Sequence, residues 1–358
     1  MKESERPRRR GSAYAVIAAL FLWAAGASAQ TAPLPPVTAA EYREVVDEAG
    51  RSVRVPQPVR RIVSLAPSLT ETIYALGLQD RLVGDTDYCD YPADAQKKHK
   101  VGGGINPSIE EIAALRPDLV LMTKSYNRLD TVHSLESLGI PSYATDPHTV
   151  DQILTSTGRV ADLLGAGEVG AALMKDLERR LVELQQRIAA LPRKRVLFVV
   201  WTEPLMSIGK DTFLADALRH AGAVSIVDST QSWPQVNLEE VVKLQPDFLV
   251  FAESHSQSGT RELETLAELP GWRILDAVRN HRLAVISDAV NRPAPRIVSA
   301  IEDLARQLHP EAFVEKPDDS KLKSEKEHSP GAAPSVSSSW PHSAAVLVVF
   351  SGEFACAR

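Results

Sequence analysis

The residues best able to do chemistry in this chain are nine histidines, an acidic cluster and one cysteine beside it. His99, His133, His148, His220, His255 and His281 are scattered, and none pairs with another at the spacing of a zinc site. Asp85, Asp87 and Asp90 crowd around Tyr88 but lack the glycine and distal glutamate of a calcium loop. They read as a polar loop at the rim of a cleft, and Cys89 within it reads as a small packing residue. Gly102-Gly103-Gly104 has neither the GxGxxG spacing nor a following Gly-Lys-Ser/Thr, and Ile208-Gly209-Lys210-Asp211-Thr212 is no Walker sequence either. Both read as cleft loops in which glycine lets the backbone come close to a ligand. There is no GxSxG, no HExxH and no Ser-His-Asp order. Glu203, in Trp201-Thr202-Glu203-Pro204, stands alone at a strand end, where a structural or ligand-contact role outweighs a catalytic one. These residues point to no enzyme, with no catalytic residue, no resident metal and no cofactor expected.

The surrounding elements alternate in a way that suits such a cleft. Val53–Val55 and Arg61–Leu65 read as strands, separated by a turn at Pro56-Gln57-Pro58. A helix is expected after Pro67, with Ser68 as N-cap, Glu71 completing a capping box and Gly77 as the stop. Leu82–Gly84 is a short strand, Ser108 to about Leu115 a second capped helix with Glu111 three residues on, and Leu119–Met122 a buried strand. Alternation of this kind predicts βαβ units around mostly parallel sheets. Residues 109–122 (IEEIAALRPDLVLM) and 238–251 (LEEVVKLQPDFLVF) share five of fourteen positions, and most of the others exchange one apolar residue for another. A helix, a Pro-Asp turn and a buried strand thus occur twice, which predicts two related α/β lobes. Between them Leu173, Leu177, Leu181, Leu184 and Ile188 recur at helical spacing until Pro192, giving a connector about 30 Å long that limits lobe movement.

The chain has 358 residues, 44% of them hydrophobic and 24% charged, enough for two buried cores. Four arginines between Arg6 and Arg10, an apolar run from Ala13 to about Gly26 and the small-residue triplet Ala27-Ser28-Ala29 form an export signal. The run is shorter than the roughly 20 residues a membrane span requires. Cleavage after Ala29 removes five basic and two acidic residues and takes the formal net charge from −6 to −9. No basic stripe spans the chain, so nucleic acid is not an expected partner. Neither Cys89 nor Cys356 lies at the signal junction, so no lipid anchor is expected and the mature chain should reside in the periplasm. A disulfide between the two is disfavoured by the unusual composition around Cys356. After His309-Pro310 the chain turns rich in Lys, Asp, Glu, Ser and Pro, the composition of a disordered tail.

Residues 60–92 (RRIVSLAPSLTETIYALGLQDRLVGDTDYCDYP), together with VGG…IEEIAALRPDLVL, WPQV at 233–236 and SDAVNRPAPRIV at 287–298, resemble the periplasmic cobalamin-binding proteins. These belong to the helical-backbone class of ABC solute receptors, which also takes up siderophores and haem. The resemblance covers roughly residues 42–308. It implies two Rossmann-like α/β lobes with mostly parallel sheets, joined by one long backbone helix, with the ligand in the cleft between them. The corresponding organisation is a signal peptide 1–29, a flexible leader 30–41, an N-terminal lobe 42–166, a connecting helix 167–191, a C-terminal lobe 192–310 and a tail 311–358. Carried over by motif, Tyr88, Trp233, Asp288 and Arg292 fall on ligand-contacting positions. Gly104 and Met206 occupy positions that are aromatic in better-known members, as does Thr123, with Tyr126 or Trp201 available to compensate. Flat aromatic walls suit a wide apolar macrocycle fringed with amides. Glu71 and Glu239 fall on the surface glutamates, one per lobe, that dock the receptor onto the permease dimer. The implied function is capture of a corrinoid by a monomer and delivery to an ABC permease with its ATPase. The alternative is a receptor for a ferric siderophore, haem or a transition metal, since exported zinc and manganese receptors also line their clefts with histidines and carboxylates.

Overall fold

Two parallel sheets carry the chain. The computed structural model describes residues 41–253 and 259–314, the side chains of 259–263 excepted. The expected signal peptide, most of the leader and tail, His255 and Cys356 lie outside the described residues. All elements below belong to one unit that ends at Phe313. In the first half they are β1 (Glu41–Val46), β2 (Ser52–Gln57), β3 (Ile62–Ser64), α1 (Pro67–Ala75), β4 (Leu82–Asp85), β5 (His99–Lys100), α2 (Ile109–Ala114), β6 (Leu119–Thr123), α3 (Leu129–Ser137), β7 (Ser142–Thr145) and α4 (Val150–Leu163). The long helix α5 (Gly167–Ile188) follows. The second half holds β8 (Lys194–Val199), β9 (Trp201–Thr202), β10 (Leu205–Met206), α6 (Phe213–His220), β11 (Ala223–Ser225), α7 (Leu238–Leu244), β12 (Phe248–Ala252), α8 (Gly259–Glu268), α9 (Asp276–Arg279), β13 (Leu283–Ile286) and α10 (Ile297–Leu308). The first sheet runs β5-β4-β3-β6-β7 and the second β11-β8-β12-β13, every pairing parallel. The expected α/β class with parallel sheets is therefore what the chain adopts. A β1–β2 hairpin and a small β9–β10 hairpin are added to it.

Period-2 alternation buries both faces of each sheet. In β6, Leu119 and Leu121 face α1 and α4 through Leu69, Ile73, Val160 and Leu164, while Val120 and Met122 face Ile112 of α2 and Leu135 of α3. In β12, Val250 and Ala252 meet α5, α6 and α10, while Leu249 and Phe251 meet Val241 of α7 and Leu275. Burying each such leucine or phenylalanine contributes about 1.5–3 kcal/mol, so these layers hold the fold.

The sequence repeat is reproduced down to single atoms. Ile112 and Val241, at equivalent positions, are the buried residues of α2 and α7. Arg116 and Gln245 follow those helices, and both adopt a left-handed backbone with φ 45°, unusual for non-glycine residues. Asp118 accepts the Arg61 N–H at 2.8 Å and Asp247 the Arg195 N–H at 2.7 Å. The same two arginines reach back to the carbonyls that close the helices, Leu115 and Leu244. The Pro-Asp turn thus serves one purpose twice: its aspartate locks the helix–strand corner to the neighbouring strand.

Helix α5 buries Leu177, Leu181, Leu184 and Ile188 in the second core, and Leu173 touches both cores. Its 22 residues measure about 33 Å. Arg180 fixes it to α10 with a forked pair to Glu302 at 2.7 and 3.0 Å and a bond to Ser299 Oγ at 2.8 Å. Gly77 ends α1 as expected. It adopts φ 71° with Leu78 N–H on Ile73 O and Gly77 N–H on Tyr74 O, the paired bonds of a Schellman stop. The start of α1 corrects the expectation. Pro67 is the first helical residue, Ala66 is the N-cap and no side chain caps the end, because the preset φ of proline begins the helix one residue before Ser68. At α2, Ser108 does accept the Glu111 N–H at 3.2 Å, but the Glu111 carboxylate turns to His99 instead of closing the box.

Candidate functional site

In parallel α/β sheets the ligand crevice lies at the carboxyl ends of the strands. There the chain places nearly every residue singled out above. Tyr88 follows β4, Gly104 follows β5, Tyr126 follows β6, Trp201 follows β8, and Asp288 and Arg292 follow β13. Trp233 and Met206 join through the small hairpin: Met206 pairs with Trp201 on one side and bridges to Gln235 on the other. A ribbon of the second half thus carries Trp201, Met206 and the segment that includes Trp233. Tyr88 is 61% exposed, Trp201 54% and Trp233 50%, and all three lie at this end of the sheets.

On the first half, the glycine run shapes the wall. A Cβ on Gly103 would touch Tyr88 Cε2 at 3.7 Å. A Cβ on Gly104 would overlap the Tyr126 ring and stand 2.8 Å from the Leu65 carbonyl. Gly104 is buried, so it lines no cleft itself; it makes the space in which Tyr126 packs. Asn127 secures this corner, donating to Leu65 O at 3.0 Å and Gly104 O at 2.8 Å while its Oδ1 accepts the Thr123 N–H at 2.7 Å. Thr123 is buried and hydrogen-bonds Ser125. Gly209, expected to let the backbone approach a ligand, approaches its own chain instead: a Cβ there would overlap the Gln231 carbonyl.

The main correction concerns Glu71. Expected on the surface, its side chain is only 3% exposed. It accepts Arg292 Nη1 at 2.9 Å, Arg296 Nη2 at 2.8 Å and Arg296 Nε at 3.0 Å. Asp90 Oδ1 lies 2.7 Å from the same Arg292 Nη1, and the Arg296 guanidinium lies 3.7 Å from the centre of the Tyr91 ring. The cause is the fold: α1 and the β4 loop come from the first sheet, the two arginines from the segment after β13, and a carboxylate at their meeting point is buried only because it is paired. Arg292 and Arg296 stand four apart in sequence and so arrive together. Burial opposes the charge of Arg292, but Asp90 and Glu71 outweigh it and hold the guanidinium pKa above its usual value. The bond from Arg292 in turn holds Asp90 below the usual carboxylate range. Arg292 therefore bridges the two halves of the fold. Asp288, half-buried, lies four residues before it on the same loop.

Beneath the Tyr88 loop lies a buried polar layer. Thr70 Oγ1 lies 2.9 Å from Ser64 Oγ and 3.2 Å from Cys89 Sγ, and Thr86 Oγ1 lies 3.2 Å from the same sulfur. Cys89 is a free thiol with its pKa raised by burial, a packing residue as expected. Asp85 is fully buried, and burial pushes its pKa up to about 6 although Lys100, at 2.7 Å, pulls the other way. Glu239 is exposed in the first turn of α7, where Asn237 caps the helix. Among the described residues there is no group of three or more His, Cys, Asp or Glu arranged to hold a metal ion, and no helix long and apolar enough to cross a membrane.

Sequence reasoning placed Asp90 in the polar rim loop without its arginine partner, and missed Tyr91 and Arg296. Arg296 lay inside the PAPRIV motif, and its spacing of four from Arg292 was the available signal.

Comparison with known proteins agrees with this architecture. The family model described as periplasmic binding protein matches residues 62–290. An uncharacterised ABC transporter substrate-binding lipoprotein of Bacillus subtilis is 30% identical over 277 residues, covering 75% of this chain and 86% of its own. A vitamin B12-binding protein of Yersinia pestis is 31% identical over 253 residues, covering 70% and 87%. Among solved structures, the periplasmic vitamin B12-binding protein BtuF of Vibrio cholerae superposes with a TM-score of 0.63 at 28% identity, covering 72% of this chain and 99% of its own. A periplasmic haem-binding protein of Pseudomonas aeruginosa does so with 0.64 at 25%, covering 70% and 93%. A matching family model over most of the chain, parallel sheets in two related halves and a rim of aromatic side chains at the strand ends agree: this chain belongs to the periplasmic binding protein family, the solute-binding components of ABC transporters.

Proposed function

We propose that the chain is an exported receptor of an ABC importer that captures a corrinoid of the cobalamin type between its two halves. The observation that carries this reading is the set of half-exposed aromatic rings at the strand ends, Tyr88 on one half and Trp201 with Trp233 on the other, with the partly buried Tyr126 ring on the loop after β6. Rings of this size bury the faces of a macrocycle, and such contacts are worth more than area alone. Arg292 and Asp288 supply polarity near the rim, but Arg292 is engaged with Glu71 and Asp90, so it acts first as a tie between the halves. The similarity to vitamin B12-binding proteins supports the ligand class. The similarity to a haem-binding protein supports haem as the second reading, since a porphyrin is also a wide flat macrocycle. No reaction occurs on the chain; a separate ATPase drives transport.

Docking onto the permease falls to Glu239 and, in the first half, to Glu110 in place of Glu71. Glu110 is the residue equivalent to Glu239 in the internal repeat; both are exposed in the first turn of their helices, and the two corners that hold them are bonded alike. Matched charges on related halves suit a partner with approximate twofold symmetry and act mainly on association rate and orientation.

Titration calorimetry of the purified chain with cyanocobalamin tests the reading. Submicromolar binding is expected, weakened at least about tenfold in Trp233→Ala, as for an aromatic anchor worth more than 1 kcal/mol. Heat with haemin and none with cyanocobalamin would transfer the assignment to the second reading.

A further inference from the structure

Lys100 ends the two-residue edge strand β5, and neither its spacing nor any motif marks it. Its ammonium nevertheless lies at the centre of the loop that carries Tyr88. It donates to Asp85 Oδ1 at 2.7 Å and lies within hydrogen-bond reach of three backbone carbonyls, Ala95 at 3.1 Å, Cys89 at 3.2 Å and Thr86 at 3.3 Å. All three carbonyls belong to the one segment that leaves β4 and returns to β5. Carbonyl dipoles turned inward on a single point repel one another unless a cation stands there, and an ammonium with three donors suits that place. The bond at Cys89 sets the Cys89–Asp90 peptide, one residue beyond Tyr88, and those at Thr86 and Ala95 hold the segment before and after it. That segment also bears Asp90 and Tyr91, which reach Arg292 and Arg296 of the other half.

We propose that Lys100 is a positioning residue for ligand capture: its ammonium holds the 86–95 loop in the shape that presents Tyr88 to the cleft and Asp90 and Tyr91 to the opposing arginines, without touching ligand. The capture role rests on the reading of the cleft given above. Its physical basis is preorganisation. A loop already ordered in the free protein does not have to be ordered on binding, and ordering of this kind corresponds to an affinity gain on the order of tenfold to a hundredfold.

The test uses the full chain and Lys100→Ala, with two readouts. Hydrogen exchange in the ligand-free protein is read at amides 86–95, a measurement independent of ligand identity. Affinity is read with cyanocobalamin, or with haemin if the parent binds only that. The variant should lose protection in this segment while the strands of both sheets keep theirs, and its affinity should fall about tenfold to a hundredfold, chiefly through a slower association rate. Ethylammonium chloride should restore both, and tetramethylammonium chloride at equal ionic strength should restore neither, because only the first brings N–H donors to the carbonyls. If Lys100→Ala does not fold, Lys100→Gln, which keeps two donors without the charge, is read in the same way and should show the same losses in smaller degree. Unchanged protection of the loop would overturn the proposal. Lost protection with unchanged affinity would overturn the capture role, and so would a loss that ethylammonium does not reverse. A parent that binds neither cyanocobalamin nor haemin would sink the ligand reading, leaving the exchange data to decide whether Lys100 orders the loop.

Discussion

Replacing Glu71 by glutamine tests the tie between the two halves. The carboxylate accepts three bonds from two guanidinium groups at 2.8–3.0 Å and is itself almost fully buried. Glutamine keeps the shape and one acceptor oxygen but turns an NH₂ toward an arginine and leaves two cations facing each other. Removing one partner of a fully buried pair costs about 3–5 kcal/mol. The side chains of Arg292 and Arg296 are 18% and 26% exposed, so water recovers part of that, and a loss of about 2–3 kcal/mol is expected. For a chain of this size that corresponds to a drop of about 4–12 °C in Tm. Urea unfolding followed by tryptophan fluorescence and by far-UV circular dichroism measures the loss and shows whether the halves still unfold together. Asp90→Asn is the internal control: Asp90 is 59% exposed, and its removal should cost less than about 1 kcal/mol. A Glu71→Gln variant that melts within about 1 °C of the parent, or no more altered than Asp90→Asn, would refute the argument.

Three further outcomes follow from the same geometry. Gly104→Ala drives a methyl into Tyr126 and the Leu65 carbonyl, so it should destabilise by about 1–3 kcal/mol, and Tyr126→Ala in the same chain should return part of that in a double-mutant cycle, the contact with the Leu65 backbone remaining. Asp85 has a native pKa of about 6, above its unfolded value, so its contribution to stability is full below about pH 4 and is lost as pH rises through about 6; Asp85→Asn should lack that decline, and parallel stability–pH curves for variant and parent would contradict the assignment. Glu110→Lys with Glu239→Lys should leave calorimetric ligand binding unchanged but slow low-salt association with permease-containing vesicles by tenfold or more, whereas Glu71→Gln should not act through a lost surface charge.

The parallel sheets, the long helix and the doubled corner were legible in the sequence because they rest on local signals: period-2 apolar runs, leucines at helical spacing, and a Pro-Asp step whose aspartate has the same task in both copies. The chemistry of the cleft was less legible because it rests on contacts between distant residues. Glu71 looked like a capping residue or a surface charge, and only the approach of Arg292 and Arg296 across more than 200 positions turns it into a buried acceptor. Gly104 looked like a lost aromatic, whereas its missing side chain is what admits the Tyr126 ring from the next loop. Lys100 carried no signal at all, since three backbone carbonyls that converge on one point leave no trace in residue types.

Native mass spectrometry of the purified chain with an equimolar mixture of cyanocobalamin, haemin, a ferric siderophore and molybdate tests the central claim most directly, because the ligands compete for one cleft. The account predicts a single added mass, that of the corrinoid, and its disappearance in Trp233→Ala at the same concentrations. A chain that stays free of ligand, or that takes up another member of the mixture in preference to cyanocobalamin, would contradict it.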